Sequence, residues 1–172
     1  MDFFRDWLEV AQEECKHYLI LRARLCQLPI EDRDLGDGLA PLYYDYGSFS
    51  VKDRIWSDAI LTADSLLHRL ILEHCTHEAR GVDVCSLLTI PRFRKGGDDE
   101  SADLLEEIVL KDEIDHIRKG LKYFQMISPT STPGEAVALF RSVQSRFYDD
   151  KGKGGYAVEL REQAGFTSEY YV

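Results

Sequence analysis

The chain has no apolar run long enough to cross a bilayer; its longest apolar stretches, such as Ile108-Val109-Leu110, are core-sized. None of its four cysteines (Cys15, Cys26, Cys75 and Cys85) belongs to a Cys-x-x-Cys pair, which excludes a zinc ribbon or a thioredoxin-type motif. Positive charge is short: 21 Lys and Arg against 31 Asp and Glu leave a net charge of −10, which argues against nucleic acid or an anionic membrane as partner. The N-terminus lacks the apolar stretch of a signal peptide, because Asp2, Arg5, Asp6 and Glu9 interrupt it. Strand-like alternation is also missing. These absences leave a reducing, cytoplasmic setting and an all-helical fold as the expectation, with Cys15 and Cys75 as small buried thiols inside helical patterns.

What is present is helical periodicity over 172 residues, 44% of them hydrophobic, enough for one domain (1–172) with a full core. The spacing of Trp7, Val10, Ala11, Glu14, His17, Tyr18 and Leu21 predicts a helix over about 2–27, ended by Leu28-Pro29. A long connection follows with Gly36, Gly38, Pro41 and Gly47 and the aromatics Tyr43, Tyr44 and Tyr46, a candidate site entrance. Ser50 and Asp53 form a capping-box-like start for a helix over about 51–80, with Gly81 as its stop or kink. Residues 82–95 read as short apolar turns broken by Pro91. Asp98 and Asp99 cap a helix over about 98–126, and Thr132-Pro133-Gly134-Glu135 opens another over 133–149. Residues 152–155 form a glycine-rich break before a polar-aromatic tail over 150–172.

Two of these helices carry one phrase. Glu13-Glu14-Cys15-Lys16-His17 and Asp112-Glu113-Ile114-Asp115-His116 both read acid-Glu-x-x-His. A Glu and a His three positions apart lie on one helix face. With only five histidines in the chain, fewer than one such pair is expected by chance. Trp7, Val10 and Leu21 share the face of Glu14 and His17, and Val109 and Ile117 flank Glu113, so both pairs fall on apolar stripes. Glu13 shares its face with Glu9 and Lys16 and is expected to point to water. Carboxylates on buried stripes are costly unless paired, and two that face each other repel; a shared dication removes both penalties.

Two helices that each present Glu-x-x-His inward are half of a dinuclear carboxylate site in a four-helix bundle. A carboxylate between them is supplied by Glu78, which follows Ile71 and Cys75 along its stripe. His74 and His77 lie nearby, and Asp64 sits too far along the same helix to serve one site with Glu78. Carboxylate and imidazole donors select iron, manganese or zinc, and a two-His dinuclear set leans to iron or manganese. Glu13 and Asp112, each four residues before a ligand His, are candidates to accept the free ring N–H.

The runs Asp6-Trp7-Leu8 through Glu14 and His17, His77-Glu78-Ala79-Arg80-Gly81-Val82-Asp83-Val84, and Asp112-Glu113-Ile114-Asp115-His116-Ile117-Arg118-Lys119-Gly120, followed by Ala164-Gly165-Phe166, resemble in order a widespread ferritin-like family of unassigned function, domain of unknown function 455. Its site is similar to those of ferritin-like di-iron carboxylate proteins, the non-haem di-iron tRNA hydroxylases among them. The resemblance implies a ferritin-like antiparallel helical bundle. It also implies Glu14, His17, Glu78, Glu113 and His116 as metal ligands, with di-iron as the cofactor and manganese or zinc as alternatives. In two respects the chain departs from the family. Members generally begin with a further helix bearing the first carboxylate ligand, and here Met1 falls directly before the second family helix. That departure leaves five ligands and an apolar seam that a homodimer or protein partner is expected to cover. Lys52-Asp53 stands where the family often has His-Asp. Three functions compete: an oxygen-dependent oxidoreductase, iron oxidation and sequestration, and a non-catalytic helical scaffold or interaction module without metal.

Overall fold

Six helical elements and a closing 3-10 turn succeed one another in the described residues 2–28, 54–147 and 155–172 of the computed structural model, with no strand among them. Helix α1 spans Asp2–Gln27 and α2 spans Arg54–Leu61. Helix α3 is one continuous rod over residues 66–95, in which α-helical stretches alternate with π-turns at Leu72–His77 and Cys85–Thr89. Helix α4 covers residues 99–127 and holds one π-turn, Leu105–Val109. Helix α5 spans Pro133–Phe147, α6 spans Val158–Gln163, and the final turn is Ser168–Tyr170. No helix among the described residues is long and apolar enough to cross a membrane.

The helix expected over 51–80 is divided differently. The chain breaks at residues 62–64, where the Thr62 hydroxyl donates to the Asp58 carbonyl at 2.9 Å, and Ser65 caps a new start by accepting from the His68 N–H at 3.2 Å. Short polar side chains that bond nearby backbone favour such a break over continuation. Asp64 therefore sits in a turn, not mid-helix. Neither Gly81 nor Pro91 ends the rod. At Gly81 a glycine costs a helix only about 1 kcal/mol, too little to stop it. Pro91 follows directly on the π-turn, where the Ile90 N–H already bonds back to the Cys85 carbonyl, five residues away. A π-turn is where a helix absorbs a misfit that regular bonding would reject. The expected cap at Ser50 and Asp53, the aromatics Tyr43, Tyr44 and Tyr46, and the end of the 133–149 helix lie outside the described residues.

The other caps follow their residues. Gly97 takes φ +79° after α3, and the Asp98 N–H donates to the Phe93 carbonyl at 2.9 Å, which closes the helix end. Asp98 then caps α4 by accepting from the Ser101 N–H at 3.1 Å. Glu135 reaches back to the N–H groups of Ser131 and Thr132 at 2.9 and 3.1 Å, and the Thr132 hydroxyl accepts from the Glu135 N–H.

This tight turn makes α3 and α4 an antiparallel hairpin, the most extensive packing in the fold. The two backbones close at Gly120. A Cβ there would overlap the His74 carbonyl oxygen and come within 2.8 Å of its carbon and 2.9 Å of the Cys75 Sγ. Helix α1 lies antiparallel along α4, joined by a ladder of charge: Arg24 to Asp98 (2.6 Å), Lys16 to Asp112, Glu9 to Lys119 (2.9 Å) and Asp6 to Lys122 (2.7 Å). The tail is core, not an appendage. Phe166 is fully buried with Phe124 and Phe140, and buried Asp83 of α3 accepts from the Ala157 N–H and from Arg161 Nε, both at 2.8 Å. Of the two cysteines expected inside, Cys75 is buried and Cys15 is exposed, because Cys15 faces away from α4. Tyr18 and Leu21 are likewise largely exposed, while Val10 and His17 face inward.

By helix propensity alone, Gly120→Ala would stabilise α4 by about 1 kcal/mol. The overlap with the His74 backbone reverses that sign, since overpacking against immobile atoms costs about 3 kcal/mol. The expected result is a lowered urea midpoint; an unchanged or raised one would show that α3 and α4 do not meet there.

Candidate metal centre

The hairpin contact at Gly120 sets Glu78 of α3 level with Glu113 and His116 of α4, and the charge ladder sets Glu14 and His17 of α1 opposite them. Ligand atoms of Glu14, Glu78, Glu113 and His116 all fall within 4.8 Å of one another. His17 stands beside this group, its ring centroid 6.1 Å from that of His116.

The carboxylates are arranged between the two imidazoles. Glu14 places Oε1 3.3 Å from His116 Nδ1 and Oε2 3.6 Å from His17 Nδ1. Glu113 places Oε2 3.0 Å from His116 Nδ1 and Oε1 3.5 Å from His17 Nδ1. Each glutamate thus offers one oxygen to each histidine. Both histidines turn Nδ1 toward these oxygens and use Nε2 on the outside.

The outer partners are crossed between the helices. His17 Nε2 of α1 lies 2.9 Å from Asp112 of α4, and His116 Nε2 of α4 lies 3.0 Å from Glu13 of α1. Glu13 therefore does not point to water as expected; His116, 1% exposed, draws it in. Pattern reading along one helix misses this, because the partner of each ring sits on the other helix. Lys16 pairs with Asp112, and Lys119, itself buried, lies 3.9 Å from Glu13 and 2.9 Å from both Glu9 and Asp115.

Burial is uneven. The Glu113 side chain is 14% exposed, whereas that of Glu14 is 49% exposed, so the cost of burying charge falls mainly on Glu78 and Glu113. Burial and the neighbouring Glu113 push Glu78 well above the usual carboxylate range. Burial alone would lower His116, but Glu113 and Glu14 outweigh it and lift the ring to about 11. The bond from His116 holds Glu14 below its ordinary value against burial. Burial raises Asp112, and the bonds from Lys16 and His17 more than offset it. Both upward shifts mark a concentration of negative charge that a cation would neutralise.

His17 supplies the test of fit. Its Nδ1 is buried without a hydrogen-bond partner while Nε2 is engaged by Asp112. In the tautomer that donates Nε2–H to Asp112, Nδ1 presents a lone pair toward Glu14 and Glu113, the orientation of a metal-ligating imidazole with an outer carboxylate. His74 and His77 take no part. His74 packs its ring on Trp7 at 4.0 Å, and burial pulls it down to about 4. His77 Nε2 lies 2.8 Å from Asp58 of α2. Burial, with the Glu113 charge adding, pushes the Cys85 thiol up to about 11, which keeps it protonated.

Residues 1–172 match the family described as "Protein of unknown function (DUF455)". A protein of Haemophilus influenzae described as uncharacterized is 29% identical over 165 residues, which cover 96% of this chain and 51% of that protein. The chain spans about half the length of that relative. No solved structure matches.

Cation binding must expel the proton of His116, so affinity rises with pH. The folded value lies above 6.5, so the stability this proton lends the metal-free fold is complete below that pH and is lost as pH climbs through about 11. Cobalt(II) titrations from about pH 6 to about pH 8 are expected to tighten about tenfold per pH unit for each proton displaced, with that proton released to solution. Affinity independent of pH would contradict this protonation scheme.

Proposed function

The chain belongs to the family of unknown function DUF455, and from the geometry of its site we propose that it is a ferritin-like, carboxylate-bridged dinuclear metal protein serving an oxygen-dependent oxidation. The observation that carries this reading is the double bridge: Glu14 and Glu113 each direct one oxygen to each of two inward Nδ1 atoms. Two positions follow, one beside His17 and one beside His116. Dications at these positions would take over the neutralising role that the His116 proton plays in the metal-free cluster, with three carboxylates and two neutral rings set around them.

Iron is the metal this reading assigns, with manganese as the nearest alternative. Hard carboxylate oxygens with borderline imidazoles suit these ions, and zinc prefers a single tetrahedral set. When bound, iron supplies one-electron redox chemistry and affinity for dioxygen. The residues do the remaining work. Glu14 and Glu113 bridge, His17 and His116 act as terminal donors, and Glu78 adds its carboxylate beside His116. Asp112 and Glu13 hold the rings in register. The half-exposed edge at Glu14 gives the site access to solvent, while Glu78 and Glu113 close its floor.

A second reading rests on a different observation. Phe4, Leu8, Ile55, Trp56, Ile60 and Leu61 are all more than half exposed. Such an apolar surface suits a protein partner or a second copy of the chain, and a scaffold role would need no metal.

Elemental analysis after anaerobic reconstitution with iron(II) separates these. The proposal expects about two irons per chain, a visible charge-transfer band once oxygen is admitted, and loss of most of the metal in Glu113→Ala. Iron far in excess of two per chain would point to sequestration. Protein that remains metal-free with its wild-type fold intact would overturn the proposal in favour of the scaffold.

A further inference from the structure

A cavity of about 340 Å³ lies in the groove between α1 and α3. Phe3, Trp7 and Ala11 wall it on the α1 side, and Leu66, Leu70 and His74 on the α3 side. Its position relative to the metal centre is set by the helices. Ala11 precedes Glu14 by three residues and His74 precedes Glu78 by four, so one end of the cavity lies about one turn, roughly 5 Å of helix rise, from two carboxylates of the site.

The wall chemistry selects the occupant. Among the described residues His74 is the one ionisable side chain in the lining, and its ring is already packed on Trp7 at 4.0 Å. A charged occupant would be desolvated with no counter-charge to meet it. Leu70 at the floor is fully buried, whereas Leu66 at the mouth is 48% exposed, so the cavity is a cleft closed below and open to solvent above. Phe3 and Trp7 meet edge to face at 6.0 Å, which offers ring faces and edges to a further ring. The volume lies at the small end of the range for organic ligands.

We propose that this cleft binds a small, uncharged aromatic molecule and holds it beside the metal centre. The proposal rests on the dinuclear reading above for its link to the metal, and on the cleft alone for binding.

The probe is N-phenyl-1-naphthylamine, which is uncharged and accepts excitation energy from tryptophan. The chain has two tryptophans, Trp7 in the cleft and Trp56 on α2. The metal-free protein is expected to bind the probe saturably, one per chain. Energy transfer should be dominated by Trp7: Trp7→Phe should lose most of it and Trp56→Phe should keep most of it. Filling the cleft from either wall, with Ala11→Trp or Leu66→Trp, should weaken binding at least tenfold; both positions are solvent-facing, which limits harm to the fold. In cobalt(II)-loaded protein the probe should shift the metal's visible absorption. Non-saturable binding, transfer that follows Trp56, or affinity untouched by both fillers would overturn the cleft. Saturable binding in the cleft with an unshifted cobalt spectrum would overturn its link to the metal. A protein that takes up no cobalt would sink the dinuclear reading, and the fluorescence arms would still decide the cleft separately.

Discussion

The convergence of Glu14, Glu78 and Glu113 on the buried ring of His116 is the constraint around which this fold is arranged. Three carboxylates within one small volume repel each other, and the chain spends several structural features on holding them there. Gly120 lets α4 approach the α3 backbone at His74, one turn before Glu78. A π-turn ends at His77, and Glu78 follows it directly; another ends at Val109, one turn before Glu113. The ladder from Arg24–Asp98 to Asp6–Lys122 fixes α1 against α4 in the one register that puts Glu14 and His17 across from Glu113 and His116.

The electrostatics have the form of a site that awaits positive charge. Glu113 and Glu14 lift His116 to about 11 against burial, burial and Glu113 push Glu78 well above the usual carboxylate range, and His17 keeps a buried Nδ1 without a hydrogen-bond partner. That nitrogen has Glu14 and Glu113 oxygens 3.6 and 3.5 Å away, beyond good hydrogen-bond distance but within reach of a small shift. Outside them, Asp112 and Glu13 each take a ring N–H from the opposite helix and are each approached by a lysine.

Much of this geometry was legible from spacing. The Glu-x-x-His phrase reports which face of a helix it occupies, and an acidic group on an apolar stripe needs a reason to be there. Hence the shared location of Glu14, Glu78, Glu113 and His116 follows from periodicity and the cost of buried charge. The failures have physical causes too. Gly81 and Pro91 carry strong local signals for ending a helix, yet the contacts of α3 with α4, together with the π-turn before Pro91, outweigh them. The turn at residues 62–64 depends on hydroxyl-to-backbone bonds of Thr62 and Ser65 that hydrophobic periodicity does not register. Glu13 was assigned to solvent because its own helix face is polar; its true partner, His116, is 103 positions away. The tail's role rests on the buried Asp83–Arg161 pair, and only Asp83 standing between Val82 and Val84 hinted at it.

The most direct test of the central claim is crystallographic. Crystals grown with manganese(II) and measured near its absorption edge should show two anomalous peaks per chain, one beside Nδ1 of His17 and one beside Nδ1 of His116, with Glu14 and Glu113 spanning both. A single peak would reduce the bridge to a mononuclear site. No peak within the cluster, with the five side chains arranged as described, would contradict the account.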